Sequence, residues 1–352
     1  MDTEALKQQI EEIYSKDDNF IKLINSLKKS YFIGFVLIGL TIIFFLIAGA
    51  LIALPFFLEN KIFKENYFKI ISYVFSIIFV ILLVSTFLFY NTKMGPSKIY
   101  KSLKSSQFDN EKTKKVYEYY FKSIKLGDTD KEFLMDVNST NNYFEYNYGS
   151  RLTLIKKSNR DLPKPNVIKF TFKDNEVHFI INHPIKYTHE RTISTLISNK
   201  NNNNTDTKVY YISTDDLFYK NTKFDQSYDG IKITKGKHFD KNFQTESVVF
   251  NKKYDINLPS NDIRAARFLS PKLIDKMSTL NDKDFKEFGI NKNFYVSKSR
   301  KTDYTNKIDF QIGALNYKKI KNFDSFKKQL INKVTRDFEL LSRSFNYIEK
   351  IY

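Results

Sequence analysis

Cysteine and tryptophan are absent from the 352 residues, and glycine and proline are scarce, at ten and seven. Without cysteine the chain has no disulfide, no thiolate nucleophile and no Cys-ligated zinc or iron–sulfur site. Four of the ten glycines, Gly34, Gly39, Gly49 and Gly95, sit in or beside two apolar runs. Few positions elsewhere let a backbone close on a phosphate, and G-x-G-x-x-G, G-x-x-x-x-G-K, G-x-S-x-G and H-E-x-x-H are all missing. Nucleotide binding and the motif-bearing hydrolases lose their usual sequence support.

What is present is lysine and aromatic bulk. There are 57 Lys and Arg against 39 Asp and Glu, a formal net charge of +18, with 34 Phe and 23 Tyr. Residues 1–90 hold eight lysines and eight acids, so the whole excess lies in residues 91–352. Such a domain could be drawn to an anionic surface. The plainer explanation, a lysine-rich solvated surface, is preferred, and nucleic acid is not an expected partner.

Two long runs, Tyr31–Leu58 and Phe68–Tyr90, carry no charge except Lys69. A helix needs about 20 apolar residues to cross a ~30 Å hydrocarbon core. Neither run has the polar face of a soluble core helix, and lipid selects helix because the backbone must satisfy itself. The expectation is a transmembrane hairpin, 31–58 and 68–90. A cleaved signal peptide is not expected, because the first run is long and follows 30 residues that include six acids.

The link Glu59–Tyr67 is too short for a domain, so both flanks share one side. Lys16, Lys22, Lys28 and Lys29 precede the first run, and Lys93, Lys98, Lys101 and Lys104 follow the second. Against these eight, the link side offers Lys61, Lys64 and Lys69. Lysine marks the cytoplasmic side, so the expected location is the cell membrane, multi-pass, with both termini cytoplasmic. Lys93, Lys98, Lys101 and Lys104 are also the candidates for contact with the membrane surface.

Residues 1–30 read as an amphipathic helical segment, with Leu6, Ile10, Ile13 and Tyr14 at helical spacing and Phe20, Leu23, Ile24 and Leu27 repeating it after Asp17-Asp18-Asn19. It could lie in the membrane interface or pack on protein. Residues 91–142 read as a helical stalk, starting at Pro96 and running from a cap at Asp109 to a stop at Gly127. From residue 143 the period becomes two. Strands are predicted at Tyr143–Tyr148, Leu152–Lys156, Val167–Phe172, Val177–Ile181, Val209–Ile212, Gly230–Thr234, Gln244–Phe250, Phe294–Ser297 and Ile308–Ile312. The Asn199–Asn204 tract is a surface loop. Asn261–Ser278 is helical, with Ser270-Pro271 restarting it. Beyond Asp324, Phe326, Leu330, Val334, Phe338, Leu341, Phe345 and Ile348 form the clearest amphipathic stripe outside the runs. The fold class is α+β: an N-terminal transmembrane hairpin, then an antiparallel or mixed sheet domain (143–352) with packed helices and a long C-terminal helix.

No constellation compels a chemistry. His178, His183 and His189 fall within twelve residues and His238 lies apart. Converging geometry with Glu176 or Glu190 would be needed for metal binding, and a structural role is preferred. Asp215-Asp216, Asp225 and Asp229-Gly230 read as turn acids. No catalytic residue, metal site or cofactor is assigned. Asp262-Ile263-Arg264-Ala265-Ala266-Arg267-Phe268-Leu269-Ser270-Pro271 spends two of only eight arginines three residues apart. Arg over Lys suits bidentate pairing, and an internal ion pair is preferred to a phosphate site.

This run and its surroundings resemble an uncharacterised bacterial membrane-protein family, domain of unknown function 3137. The matching residues are Phe250-Asn251-Lys252-Lys253-Tyr254-Asp255-Ile256, then Asp262, Ala266-Arg267 and Leu269-Ser270-Pro271. A weaker echo lies in Asp216-Leu217-Phe218 with Tyr228-Asp229-Gly230. The resemblance implies paired transmembrane helices, a following soluble region and structural roles for Arg267 and Pro271. It implies no activity. The expected function is a membrane-anchored interaction or scaffold module with a basic cytoplasmic domain. Its partners would be the bilayer, anionic lipid headgroups and another membrane or cytoplasmic protein. The alternative is a membrane-anchored enzyme with a carboxylate/His site that leaves no linear motif.

Overall fold

A computed structural model describes residues 3–57, 66–92, 94–108, 111–124, 126, 129–136, 166–182, 185–193, 204–220, 225–236, 243–280, 283, 285–291, 293–302 and 311–351. The chain divides into two compact units. One comprises Glu4–Thr113 with Asn316–Gln329, and the other Lys114–Leu315 with Leu330–Tyr352.

The first unit is helical. It contains α1 (Thr3–Ser15), α2 (Asp18–Phe57), α3 (Asn66–Asn91) and α4 (Pro96–Phe108). Asp17 separates α1 from α2, its carboxylate accepting the Phe20 N–H at 3.0 Å and pairing with Lys112. No breaker follows, so residues 18–30 are the opening turns of α2. The helix break falls at the expected Asp17-Asp18-Asn19, and α2 runs through residue 30 into the apolar run. The apolar face of α1 is covered by protein. Leu6, Ile10 and Tyr14 are buried, and the Tyr14 ring lies 4.9 Å from both Phe20 and Phe326. That favours packing over a place in a membrane interface, and Ile13, outside this contact, is only half buried.

Helices α2 and α3 are both long and apolar enough to cross a membrane. They run antiparallel. Thr41 and Thr86 join their hydroxyls at 3.2 Å, and Phe44 stacks on Phe75 with centroids 5.6 Å apart. Thr41, Ser76 and Thr86 each also bond the carbonyl four residues earlier, at 2.7, 2.9 and 2.8 Å. These three hydroxyls inside the apolar runs thus find partners on their own helices. Phe32, Phe35, Phe45 and Leu46 on α2, and Ile70, Tyr73 and Phe87 on α3, are more than half exposed. Lys61 and Lys64 of the link lie outside the described residues.

The second unit is built on one nine-stranded sheet, antiparallel at every described pairing. Its strands are β1 (Thr129–Asp136), β2 (Val167–Phe172), β3 (Asn175–Ile181), β4 (Ile185–Ile193), β5 (Asn204–Lys220), β6 (Lys232–Lys235), β7 (Tyr254–Ile256), β8 (Phe285–Asn291) and β9 (Asn293–Thr302). The order is β1-β2-β3-β5-β9-β8-β6-β7, with β4 also paired to β5. Strand β5 organises the sheet. Its second half pairs with β3 and its first half with β4, end to end along the same side, while β9 pairs along the other. A two-residue turn, Lys173-Asp174, joins β2 to β3 with both residues at positive φ (47° and 60°), the twist that tight hairpins favour.

Several expectations change. Residues 129–136 are strand β1, so the stalk reading of 91–142 fails over its last part. Gln244–Phe250 is not a strand: Ser247 caps α6 (Val248–Lys253) by accepting the Phe250 N–H at 3.2 Å. The cap overrides the β propensity of Val248-Val249, which turn outward while Phe250 is buried. Of the matched run Phe250–Ile256, Tyr254–Ile256 pairs in the sheet as β7. Ile312 lies in a turn. Tyr143–Tyr148, Leu152–Lys156, Ile308–Phe310, Asp109, Gly127 and Asn199–Asn203 lie outside the described residues, whereas Asn204 opens β5.

The helical segment at 261–278 splits as expected into α7 (Ile263–Phe268), capped by Asp262, and α8 (Pro271–Thr279), capped by Ser270 with proline in its first turn. The last helix, α9 (Phe323–Ile351), buries all seven residues of the apolar stripe. Its cap differs from expectation. Asn322 accepts the Ser325 N–H at 2.8 Å, and Asp324 instead pairs with Lys327 at 3.1 Å. Within the second unit α9 lies on the sheet through Phe345, 5.5 Å from Phe170 and 4.9 Å from Phe172, and through Tyr347, stacked 5.0 Å from Phe285.

Candidate functional site

In the first unit a tight connection turns α3 into α4. A Cβ at Gly95 would stand 2.6 Å from the Tyr90 carbonyl oxygen and 2.8 Å from that of Phe89. Only glycine allows the two backbones to approach so closely. The Gly95 N–H donates to Thr92 at 3.1 Å, its carbonyl accepts from Lys98 at 3.1 Å, and Pro96 opens α4. Ser30 of α2 ties the connection down by donating to the Met94 carbonyl at 2.7 Å. Gly34 serves the same packing from the other side, since a Cβ there would meet the Tyr90 hydroxyl at 2.7 Å.

Between these elements lies a cavity of about 560 Å³. Helix α2 contributes Leu23, Ser26, Lys29, Ser30 and Ile33; α4 contributes Lys98, Ile99, Lys101 and Ser102; Phe89 and Met94 close it. Lys98 and Lys101, three apart, share a helix face. Among the described residues the lining holds three lysines and no acid. Two of the four lysines expected at the membrane surface thus meet here, joined by Lys29. Lys29 carried only a topological signal in the sequence, because nothing local announces its apposition to α4. The Lys93 and Lys104 side chains lie outside the described residues.

The second unit gathers its polar groups inside the sheet. Asp215 and Asp216 lie in mid-strand and are fully buried, which corrects their reading as turn acids. A buried acid pair resembles a turn in sequence, but here its partners include Asn182 beyond β3 and Lys298 on β9. Asn182, just past β3, donates to Thr214 at 2.8 Å and to Asp216, while Thr214 also donates to Asp216 at 3.2 Å. Lys298 of β9 is Asp215's pairing partner across the sheet. Tyr295 donates to Glu287, and burial foremost, with Glu287 and Asp216 adding to it, raises its phenol pKa. These groups close the ladder at the point where β3 ends and β4 begins.

His178 is buried in β3 with its Nε2 3.2 Å from Glu176, which also pairs with Lys220 at 2.7 Å. Burial, reinforced by Lys220, lowers the imidazole pKa to about 4. No cluster of metal-ligating side chains occurs among the described residues; His183 and His238 lie outside them, and His189 is in β4. Between the folded value near 4 and the ordinary 6.5, the unfolded chain binds more protons. Stability contributed by neutral His178 is therefore lost as pH falls from 6.5 towards 4, at up to about 1.4 kcal/mol per pH unit. Thermal midpoints at about pH 7.5 and pH 5 should show this fall, and His178→Gln should flatten it. Parallel curves for the two proteins would assign the fall to other groups.

The Asp262–Arg264 pair is local. Arg264 grips the carboxylate of its own cap through Nε at 3.1 and 3.2 Å and Nη2 at 2.7 Å. The guanidinium hydrogen bonds hold the Asp262 carboxyl below the usual range. Arg264 also reaches the Ser227 carbonyl at 3.4 Å, so it fixes α7 to a neighbouring turn. Arg267 is exposed, and Pro271 starts α8. No family model, curated protein or solved structure matches this chain.

Proposed function

We propose that this chain is a membrane-anchored interaction module, in which α2 and α3 cross the bilayer as a hairpin and the basic α+β unit meets a membrane or cytoplasmic partner protein. One observation carries the reading. The large apolar side chains of α2 and α3 face outward, and no residue of α3 is buried. A soluble core helix would cover that surface, because exposed apolar patches of this extent mark interaction or membrane sites. The lysine distribution supports both termini being cytoplasmic. Kinship with domain of unknown function 3137 belongs to the same proposal and rests on the motif from Phe250 to Pro271.

Two measurements test it. Alkaline carbonate should leave the full chain in the membrane pellet, whereas release into the supernatant would remove the anchor. Protease added to intact cells should spare residues 91–352 and cut them after permeabilisation. Cleavage of intact cells would reverse the orientation while leaving the hairpin standing.

A further inference from the structure

We infer that the cavity between α2 and α4 is a binding site for one anionic diacyl phospholipid, a partner not implied by anchoring alone. The inference rests on the membrane reading above. Its ligand chemistry follows from three properties of the lining. Lys29, Lys98 and Lys101 are exposed and paired with no carboxylate within 4.0 Å among the described residues, and no acid lines the space. Lysines without carboxylate partners gathered around one concavity favour a net-anionic phosphodiester headgroup over one that carries its own cation. Apart from three serines, the rest of the wall is apolar: Leu23, Ile33, Phe89, Met94 and Ile99.

The second property is continuity. Ile33 begins an outward-facing apolar stripe that continues along the same face of α2 through Val36 and Leu40, with half-buried Phe89 of α3 beside it. An amphiphile can therefore place its phosphate among the lysines and its chains along α2 and α3, whereas a free anion would leave that surface uncovered. The third is size. A cavity of about 560 Å³ is in the range of small-ligand sites, enough for a phosphoglycerol headgroup. Ser26 and Ser102 add hydroxyls at the same wall.

Native mass spectrometry of the full chain, released from detergent and titrated with phosphatidylglycerol or phosphatidylcholine, tests the assignment. Phosphatidylglycerol should be retained preferentially, at one copy per chain. At roughly fivefold per lysine, K98Q/K101Q should weaken its retention about thirtyfold, and K98R/K101R should restore most of it. K22Q/K28Q removes the same charge from exposed α2 positions outside the lining and should change retention by less than about threefold. Equal losses in the two glutamine variants would mean diffuse surface attraction and overturn the site. Equal retention of the two lipids would overturn it too. So would displacement by soluble glycerol phosphate at concentrations matching the lipid, since the site would then hold a free anion. Wild type that stays in the carbonate pellet yet shows no lipid preference refutes this inference alone. Wild type released by carbonate refutes it together with the anchor.

Discussion

Asp337→Ala is expected to lower the thermal midpoint of the protein by about 10 °C, corresponding to roughly 3–5 kcal/mol. Asp337 is fully buried on α9. Its Oδ2 accepts from the Tyr117 hydroxyl at 2.7 Å and from the Gly313 N–H at 3.0 Å, and its Oδ1 from Lys333 Nζ at 2.8 Å. One carboxylate thus joins α5 (Glu111–Ser123), the turn at residues 311–313 and α9. Gly313 lies at φ +76°, a conformation other residues adopt only with strain, so the turn brings its N–H to the carboxylate without cost from a side chain. Removing the acid takes the counter-charge from a lysine that is itself almost fully buried, and such losses are expensive. Asp337→Asn keeps the shape and should cost less. Lys333→Met with Asp337→Leu should also cost less than the alanine, because the charge goes with its partner. Melting of the detergent-solubilised full chain, followed by circular dichroism, reads all three. A midpoint for Asp337→Ala within a degree or two of wild type would show that the network is not stabilising.

Phe338→Ala should cost about 3–5 kcal/mol. Next to Asp337 in sequence, the Phe338 ring meets Tyr120 at 5.0 Å, Tyr117 at 5.7 Å, Phe121 at 6.2 Å and Phe133 at 6.3 Å. Truncation opens a hole among four rings on α5 and β1, where collapse would have to move a strand already hydrogen-bonded to β2. Phe338→Leu fills most of that space and should cost less than about 1.5 kcal/mol. The chain has no Trp, so its near-ultraviolet dichroism reports Tyr and Phe alone. The alanine variant should lose much of that signal at temperatures where the leucine variant keeps it. Equal melting of the two variants would show that ring contact rather than volume sets the stability here.

Much of the helical structure was legible because its signals are local. The stripe from Phe326 to Ile348 depends on residues three and four apart on one cylinder, and all of it is buried. The same holds for the apolar runs, which extend as helices α2 and α3, and for the caps at Asp262 and Ser270, whose partners stand two or three residues on. Strands β2 and β3 were visible because Val167–Phe172 and Val177–Ile181 are strongly apolar and a two-residue turn separates the paired segments.

What tertiary structure decided depends on residues far apart in the chain. The acids Asp215-Asp216 take a mid-strand place because Asn182 and a neighbouring β9 supply a donor and pairing that no local window contains. Strands β4 and β8 carry too many polar residues to be seen without the strands that pair with them. Lys29 joins Lys98 and Lys101 only because Gly95 admits a backbone approach and Ser30 holds Met94 across 64 positions of sequence. Local chemistry set which segments become helices; the meeting of distant side chains, which alone creates a cavity and its charge, required the fold.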